Sequence, residues 1–239
     1  MKLWLTCQNS IPIISYNLIS NLHDTVAESK ALDQYCEKYT MPESKVLKGL
    51  NRETNVKVPL PQMLSGHLQG AVLQMISQML RPVNILEIGT YTGYSAICLA
   101  QGLREGGVLH TIDINEELED LCFRYFCEAG LEGKIKQHIG QAADIIPSLT
   151  ETFELVFIDA DKQNYGLYYD LVFDKVPIGG LILADNVLYA GEEVLPTDEQ
   201  SKNARAMHAF NEKVLSDHRV EQVLLPLRDG ILITRKITS

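Results

Sequence analysis

A single open α/β sheet of seven strands, mostly parallel, with helices on both faces and an antiparallel terminal hairpin, is the fold this sequence predicts. Three observations predict it. Short, continuously apolar runs such as Leu155–Ile158 alternate with amphipathic stretches of helical length, the pattern of strands buried on both faces. The 239 residues, 46% hydrophobic and 22% charged, can enclose one large core. Near the end, two strand-like runs flank Arg228-Asp229-Gly230, a hairpin-type turn.

The elements follow in order. The first 60 residues are polar and read as two helical pieces, about Leu18–Tyr39 and Pro42–Arg52, closed by Pro59 and Pro61. Residues 1–60 are expected to form a helical lid or dimer arm without site chemistry, ahead of a larger domain over residues 61–239. Ser65–Leu80 reads as a helix. Strands are expected at Asn84–Ile88, Val108–Ile112, Ile135–His138, Leu155–Ile158 and Leu181–Ala184. Helices fall between them, including Ser95–Leu103, Glu116–Ala129 and Tyr165–Val176, and another follows at Lys202–Leu215. Val220–Leu225 and Ile231–Lys236 complete the seven strands.

Bulk properties narrow the function. A net charge of −10 suits a nucleic-acid binder poorly, because phosphate binding needs clustered Lys and Arg. The five cysteines form no CxxC pair and no zinc spacing, so reduced thiols in a cytosolic protein are expected, with Cys122 and Cys127 on one helix. Lys2-Leu3-Trp4-Leu5 begins like a signal peptide, but Gln8, Asn9, Ser10 and Pro12 break the apolar run. No run approaches the ~20 apolar residues of a membrane span.

The chemistry begins at Asn84-Ile-Leu-Glu-Ile-Gly-Thr-Tyr-Thr-Gly-Tyr-Ser95. A buried strand runs into an acid, Glu87, and a turn with Gly89 and Gly93, where open α/β sheets bind small molecules. Tyr91 replaces the middle glycine of a dinucleotide fingerprint, and no Gly-Lys-Ser/Thr follows to make a P-loop. An acid here suits a ligand with a cationic or hydroxyl-rich part. Asp113 ends the next strand and either accepts the two hydroxyls of a ribose or caps the helix starting near Glu116. Glu87 and Asp113 together suit a nucleoside without phosphates, such as S-adenosylmethionine.

Asp159 and Asp161 follow the fourth strand; Asp185 and Asn186 follow the fifth. The carboxylates of Asp159 and Asp185 and the amide oxygen of Asn186 suit Mg²⁺ or Ca²⁺ rather than Zn²⁺, and Asp159 or Asp185 taken singly could instead cap a helix. Lys162 lies just beyond. A divalent ion and a sulfonium nearby would favour its neutral amine, a candidate general base, while Asp161 opposes that effect. The six histidines have no metal spacing, Cys98 reads as core, and no GxSxG occurs. Glu192-Glu193 and Thr197–Asn203 read as a solvated loop.

Glu87–Ser95, Ile112–Asn115, Phe157–Tyr165 and Gly179–Leu188 together resemble the cation-dependent O-methyltransferases, the caffeoyl-coenzyme A and catechol O-methyltransferase family. The resemblance runs from about Pro61 to Lys236 and, through Asp-Ala-Asp-Lys, is nearer the caffeoyl-coenzyme A branch and its bacterial relatives. It implies a Rossmann-like, seven-stranded methyltransferase sheet and a homodimer. It assigns S-adenosylmethionine contacts to Ser65, Glu87, Gly89, Thr90, Ser95, Asp113, Ala142 and Asp161. It assigns a divalent cation (Mg²⁺, with Ca²⁺ or Mn²⁺ as alternatives) to Asp159, Asp185 and Asn186, and catalysis to Lys162. The expected acceptor is a small aromatic vicinal diol. The chain departs from the plant pattern at Tyr189, where tryptophan is typical, and at Ala190, where a polar substrate contact is typical. A metal-independent N-methyltransferase and a non-catalytic S-adenosylmethionine sensor are the competing readings. The acidic balance disfavours the first, and an intact Lys162 and ligand set disfavours both.

Overall fold

Strand β1 (Asn84–Ile88) runs up the middle of a seven-stranded sheet in the computed structural model, which describes residues 31–196 and 198–239 and, for Ala190 and Glu193, the backbone alone. β2 (Val108–Asp113) and β3 (Ile135–Ile139) lie to one side. β4 (Leu155–Ile158), β5 (Leu181–Asp185), β7 (Ile231–Lys236) and β6 (Val220–Leu225) follow on the other, giving the order β3-β2-β1-β4-β5-β7-β6. β1 to β5 are parallel, and β7 is antiparallel to both its neighbours. The expected seven strands and the terminal hairpin are all present. β2, β3 and β5 each run one residue further than their apolar stretches, because the polar backbone still pairs at Asp113↔Ile139 and Asp185↔Ile231.

The strands alternate between two cores. Leu86 and Ile88 face one, with Ile112, Val156 and Ile158. α6 (Tyr165–Phe173) and α7 (Lys202–Leu215) cover that side, contributing Tyr165, Tyr169 and Phe210. Ile85 faces the other core, with Leu109, Leu155, Phe157 and Leu183. There it meets α3 (Tyr94–Ala100), α4 (Glu119–Glu128) and α1 (Lys45–Lys57). Cys98 is core, and Cys122 and Cys127 share α4. A further short helix, α5 (Ala142–Ser148), contains Pro147 and ends one residue later.

The chain divides into two compact units after Thr40. In the first, residues 31–38 are helical and Tyr39 is in a turn; the rest of the helix expected at Leu18–Tyr39 lies outside the described residues. In the second, α1 is capped by Ser44, whose Oγ accepts from the Leu47 N–H at 3.2 Å. It packs into this second unit: its fully buried Thr54 bonds Thr92 at 3.2 Å, and Glu53 accepts from Tyr125 at 2.7 Å. α2 (Gly66–Leu80) follows a turn at Pro61–Met63. Among the described residues no helix is long and apolar enough to cross a membrane.

Candidate active site

Strand register builds the site. Ile88 pairs with Ile112 and Ile158, and Ile158 pairs with Ala184. The next residue of each strand, Asp113, Gly89, Asp159 and Asp185, therefore stands in one row along the carboxyl edge. The chain steps outward from β1 to β2 and β3, then returns to β4. The crevice between β1 and β4 is the topological switch point, where ligands bind in such sheets. Gly89 is required there: at φ +102° its added Cβ would lie 1.8 Å from the Asp159 carbonyl oxygen.

Two cavities meet at this point. One, about 730 Å³, is lined by Ser65, Ser95, Asp159, Lys162, Asp185 and Asn186. The other, about 750 Å³, is lined by Asp113, Ala142, Asp161 and the segment Val58–Leu60. They share Met63, Gly89, Tyr91, Asp159, Ala160 and Asp161, so they form one crevice on either side of Gly89.

On the second side, Asp113 organises the glycine turn. Its Oδ2 accepts from the N–H groups of Thr90 (3.0 Å) and Tyr91 (2.7 Å), and Oδ1 accepts from Asn115 N–H (2.9 Å). A carboxylate has about four acceptor positions, so it retains capacity for a ligand hydroxyl. The helix-cap alternative falls to Asn115, which accepts from the Glu117 N–H at 3.0 Å. Asp161 is held by Tyr168 and Asn164, both at 2.5 Å.

Glu87 lies beneath the turn, fully buried. Thr111 donates to its Oε2 at 2.5 Å, and Thr90 Oγ1 lies 2.5 Å from Thr111 Oγ1. Its Oε1 has no hydrogen-bond partner among the described residues. Burial, opposed by bonding from Ser95 and Thr111, pushes its pKa up to about 8. A buried carboxylate oxygen left unbonded carries a desolvation penalty, which an ammonium group of a ligand would relieve.

On the first side, Lys162 Nζ donates to Asn186 Oδ1 (2.6 Å), Tyr165 Oη (2.7 Å) and Asp159 Oδ1 (3.1 Å). Asn186 adopts φ +57°, a left-handed conformation that asparagine tolerates. Asp185 is buried, and burial followed by repulsion from Asp159 holds its carboxyl well above the usual range. Tyr165 is buried beside the same acids, which holds its phenol neutral. No cluster of three or more His, Cys, Asp or Glu occurs among the described residues, so a cation here needs the Asn186 amide. The donor set fits one: its oxygens are all hard, its acids repel each other, and an ammonium already bridges Asp159 and Asn186.

Every site residue picked out in the sequence lines this crevice or, for Glu87, lies just under it. The sequence reading missed others. Val58, Pro59 and Leu60 roof the second cavity, held by the Tyr91 hydroxyl, which contacts the carbonyls of Pro59 (2.9 Å) and Leu60 (3.2 Å). Residues 58–60 therefore line the crevice. Arg228, from the β6–β7 turn, donates to the carbonyls of Leu64 (2.8 Å) and Ser65. Gln69 reaches Asp185 from α2. Only Gln69 had a sequence signal, standing four residues after Ser65 on one helix face. Tyr189 lines the first cavity and accepts from Asn203 at 2.8 Å; the side chain of Ala190 lies outside the described residues. The expected loop at 197–203 is partly helical, since α7 starts at Lys202, and Thr197 is not described.

A Rossmann-like sheet with acids and a glycine turn along its switch-point crevice is the frame of an α/β enzyme that binds a nucleoside cofactor. Residues 37–237 match the O-methyltransferase family, and the chain belongs to it. It is 34% identical over 231 residues to caffeoyl-CoA O-methyltransferase 5 of Nicotiana tabacum, spanning 90% of this chain and 95% of that one. The O-methyltransferase from Bacillus cereus, solved in complex with SAH, aligns with a TM-score of 0.79 at 30% identity, covering 86% of this chain and 97% of that one. TomG from Streptomyces achromogenes, an O-methyltransferase of tomaymycin synthesis solved with SAM, gives 0.80 at 26% identity over 87% and 96%.

Proposed function

We propose that the protein moves a methyl group from S-adenosylmethionine to one hydroxyl of a vicinal dihydroxy-aromatic small molecule, of catechol or caffeoyl type, with a divalent cation, Mg²⁺ first among candidates. The observation that carries this is the set of hard oxygens on Asp159, Asp185 and Asn186, with Lys162 among them, beside a nucleoside-sized crevice. The SAM- and SAH-bound relatives and the caffeoyl-CoA O-methyltransferases support it.

Asp159, Asp185 and Asn186 would hold the cation, whose charge would acidify a neighbouring substrate hydroxyl. Lys162 Nζ would accept the hydroxyl proton as the neutral amine, and Tyr165 holds that nitrogen in place. Glu87 takes the ammonium group of the cofactor through its unbonded oxygen. Asp113 takes the ribose hydroxyls, and Ala142 packs at the adenine edge. Ser65, Gly89, Thr90, Ser95 and Asp161 complete the cofactor contacts. Much of the rate comes from orientation, worth up to ~7–11 kcal/mol when reacting atoms are aligned. We further place the protein in the cytoplasm, and as a homodimer, the latter checked by sedimentation of the purified chain.

The test is methyl transfer to caffeoyl-coenzyme A, caffeate and simple catechols, each with Mg²⁺ and with EDTA. Metal-dependent methylation of at least one is expected. Full turnover in excess chelator would remove the metal role, and cofactor binding without turnover on any would remove the acceptor class. Asp159→Ala is expected to abolish transfer while S-adenosylmethionine still binds, measured by calorimetry.

A further inference from the structure

Helix α2 passes behind the acids and sends one side chain into them. Gln69 is 1% exposed, and its Nε2 donates to Asp185 Oδ2 at 2.6 Å, joining residues 116 apart in the chain. The other carboxylate oxygen accepts from the Asn186 N–H at 2.8 Å, and the Tyr165 hydroxyl donates to the Asp185 carbonyl at 3.1 Å. One bond on each carboxylate oxygen fixes the plane of the group. Because an ionised carboxylate has about four acceptor positions, others remain for a cation.

The depth of Gln69 is set by its neighbour. A Cβ on Gly70 would lie 2.6 Å from Tyr94 Cε1 and 2.9 Å from Cys98 Sγ. Glycine therefore lets α2 press against α3 more closely than any other residue would. That approach carries the adjacent amide within reach of Asp185. A fully buried amide is costly unless bonded, so the pairing is a defined part of the core. Gln69 has no proton to lose, so its donation holds at any pH at which Asp185 is ionised.

We propose that Gln69 is a positioning residue for the divalent cation, holding the Asp185 carboxylate in the orientation that receives it without touching the ion. The inference rests on the reading of Asp159, Asp185 and Asn186 as the metal ligands. Partners of this kind typically change metal affinity about 10–100-fold when removed.

The experiment is Mn²⁺ titration of the full-length chain by calorimetry and electron paramagnetic resonance, beside S-adenosylhomocysteine titration of the same samples. Gln69→Leu keeps the bulk and removes the donor. Gln69→Asn keeps the amide but is one methylene too short, and serves if the leucine variant does not fold. Either variant is expected to bind Mn²⁺ about 10–100-fold more weakly while S-adenosylhomocysteine affinity moves less than about threefold. If the unsubstituted protein binds no Mn²⁺, the metal reading falls and this role with it. If that protein binds Mn²⁺ and the variants bind equally well, the role of Gln69 alone is overturned. Parallel loss of both ligands would make Gln69 a general structural residue and also overturns the proposal.

Discussion

Replacing Glu87 by glutamine should stabilise the ligand-free protein in a strongly pH-dependent way. The carboxyl is fully buried, and burial raises its pKa to about 8 from an ordinary 4.5. A raised acid favours the folded state while protonated. Its contribution is complete below pH 4.5 and is lost as pH rises through 8. At ~1.4 kcal/mol per pH unit, the loss is about 4 kcal/mol by pH 8 and about 5 kcal/mol well above it. Glutamine has nearly the shape of the protonated acid and cannot ionise. Glu87→Gln should therefore match the unsubstituted protein near pH 4.5 and exceed it by several kcal/mol at pH 8. Urea denaturation of both proteins across this range reads the difference. Asp185, also held up by burial, acts alike in both and cancels. The same substitution should weaken S-adenosylmethionine binding, because the unbonded Oε1 is the group proposed to meet its ammonium. A stability difference that stays flat between pH 4.5 and 8, or a variant less stable at pH 8, would refute the reasoning.

Three other substitutions test separate parts of the crevice. Gly89→Ala forces a side chain to φ +102° and its Cβ to 1.8 Å from the Asp159 carbonyl, so a loss of roughly 3 kcal/mol or more is expected in thermal or urea unfolding. Tyr91→Phe removes the hydroxyl that holds Pro59 and Leu60 over the second cavity; calorimetry should show cofactor binding about three- to tenfold weaker, with melting little changed. Lys162→Met should lower the methyl-transfer rate by at least about 10²-fold in a stopped assay, while S-adenosylhomocysteine binds normally.

Strand ends and their acids were legible because both obey local rules. A run such as Leu155–Ile158 is apolar on both faces and then stops at an acid, so Asp159 announces the edge of the sheet. Gly89, Asp113, Asp159, Asp185 and Asn186 could all be placed in this way, and Lys162 followed from its distance along the chain. Helix ends were less legible. The helix expected to reach Leu103 ends at Ala100, and Gly102 lies where a Cβ would meet the Ser77 backbone at 2.2 Å. Its limit is set by a partner helix, which no local pattern records.

What the sequence by itself determined was the period of each element, the chemistry at each strand end and hence the class of ligand. Tertiary structure alone decided that four strand ends stand level, through the register Ile88↔Ile112, Ile88↔Ile158 and Ile158↔Ala184. It also decided that Gln69 supports Asp185, that Arg228 holds the carbonyls of Leu64 and Ser65, and that Tyr91 holds the roof over the second cavity. The physical reason is range. Propensity and periodicity act over a few residues, whereas these bonds join groups 31 to 164 positions apart and exist only because close packing brings each donor to its acceptors.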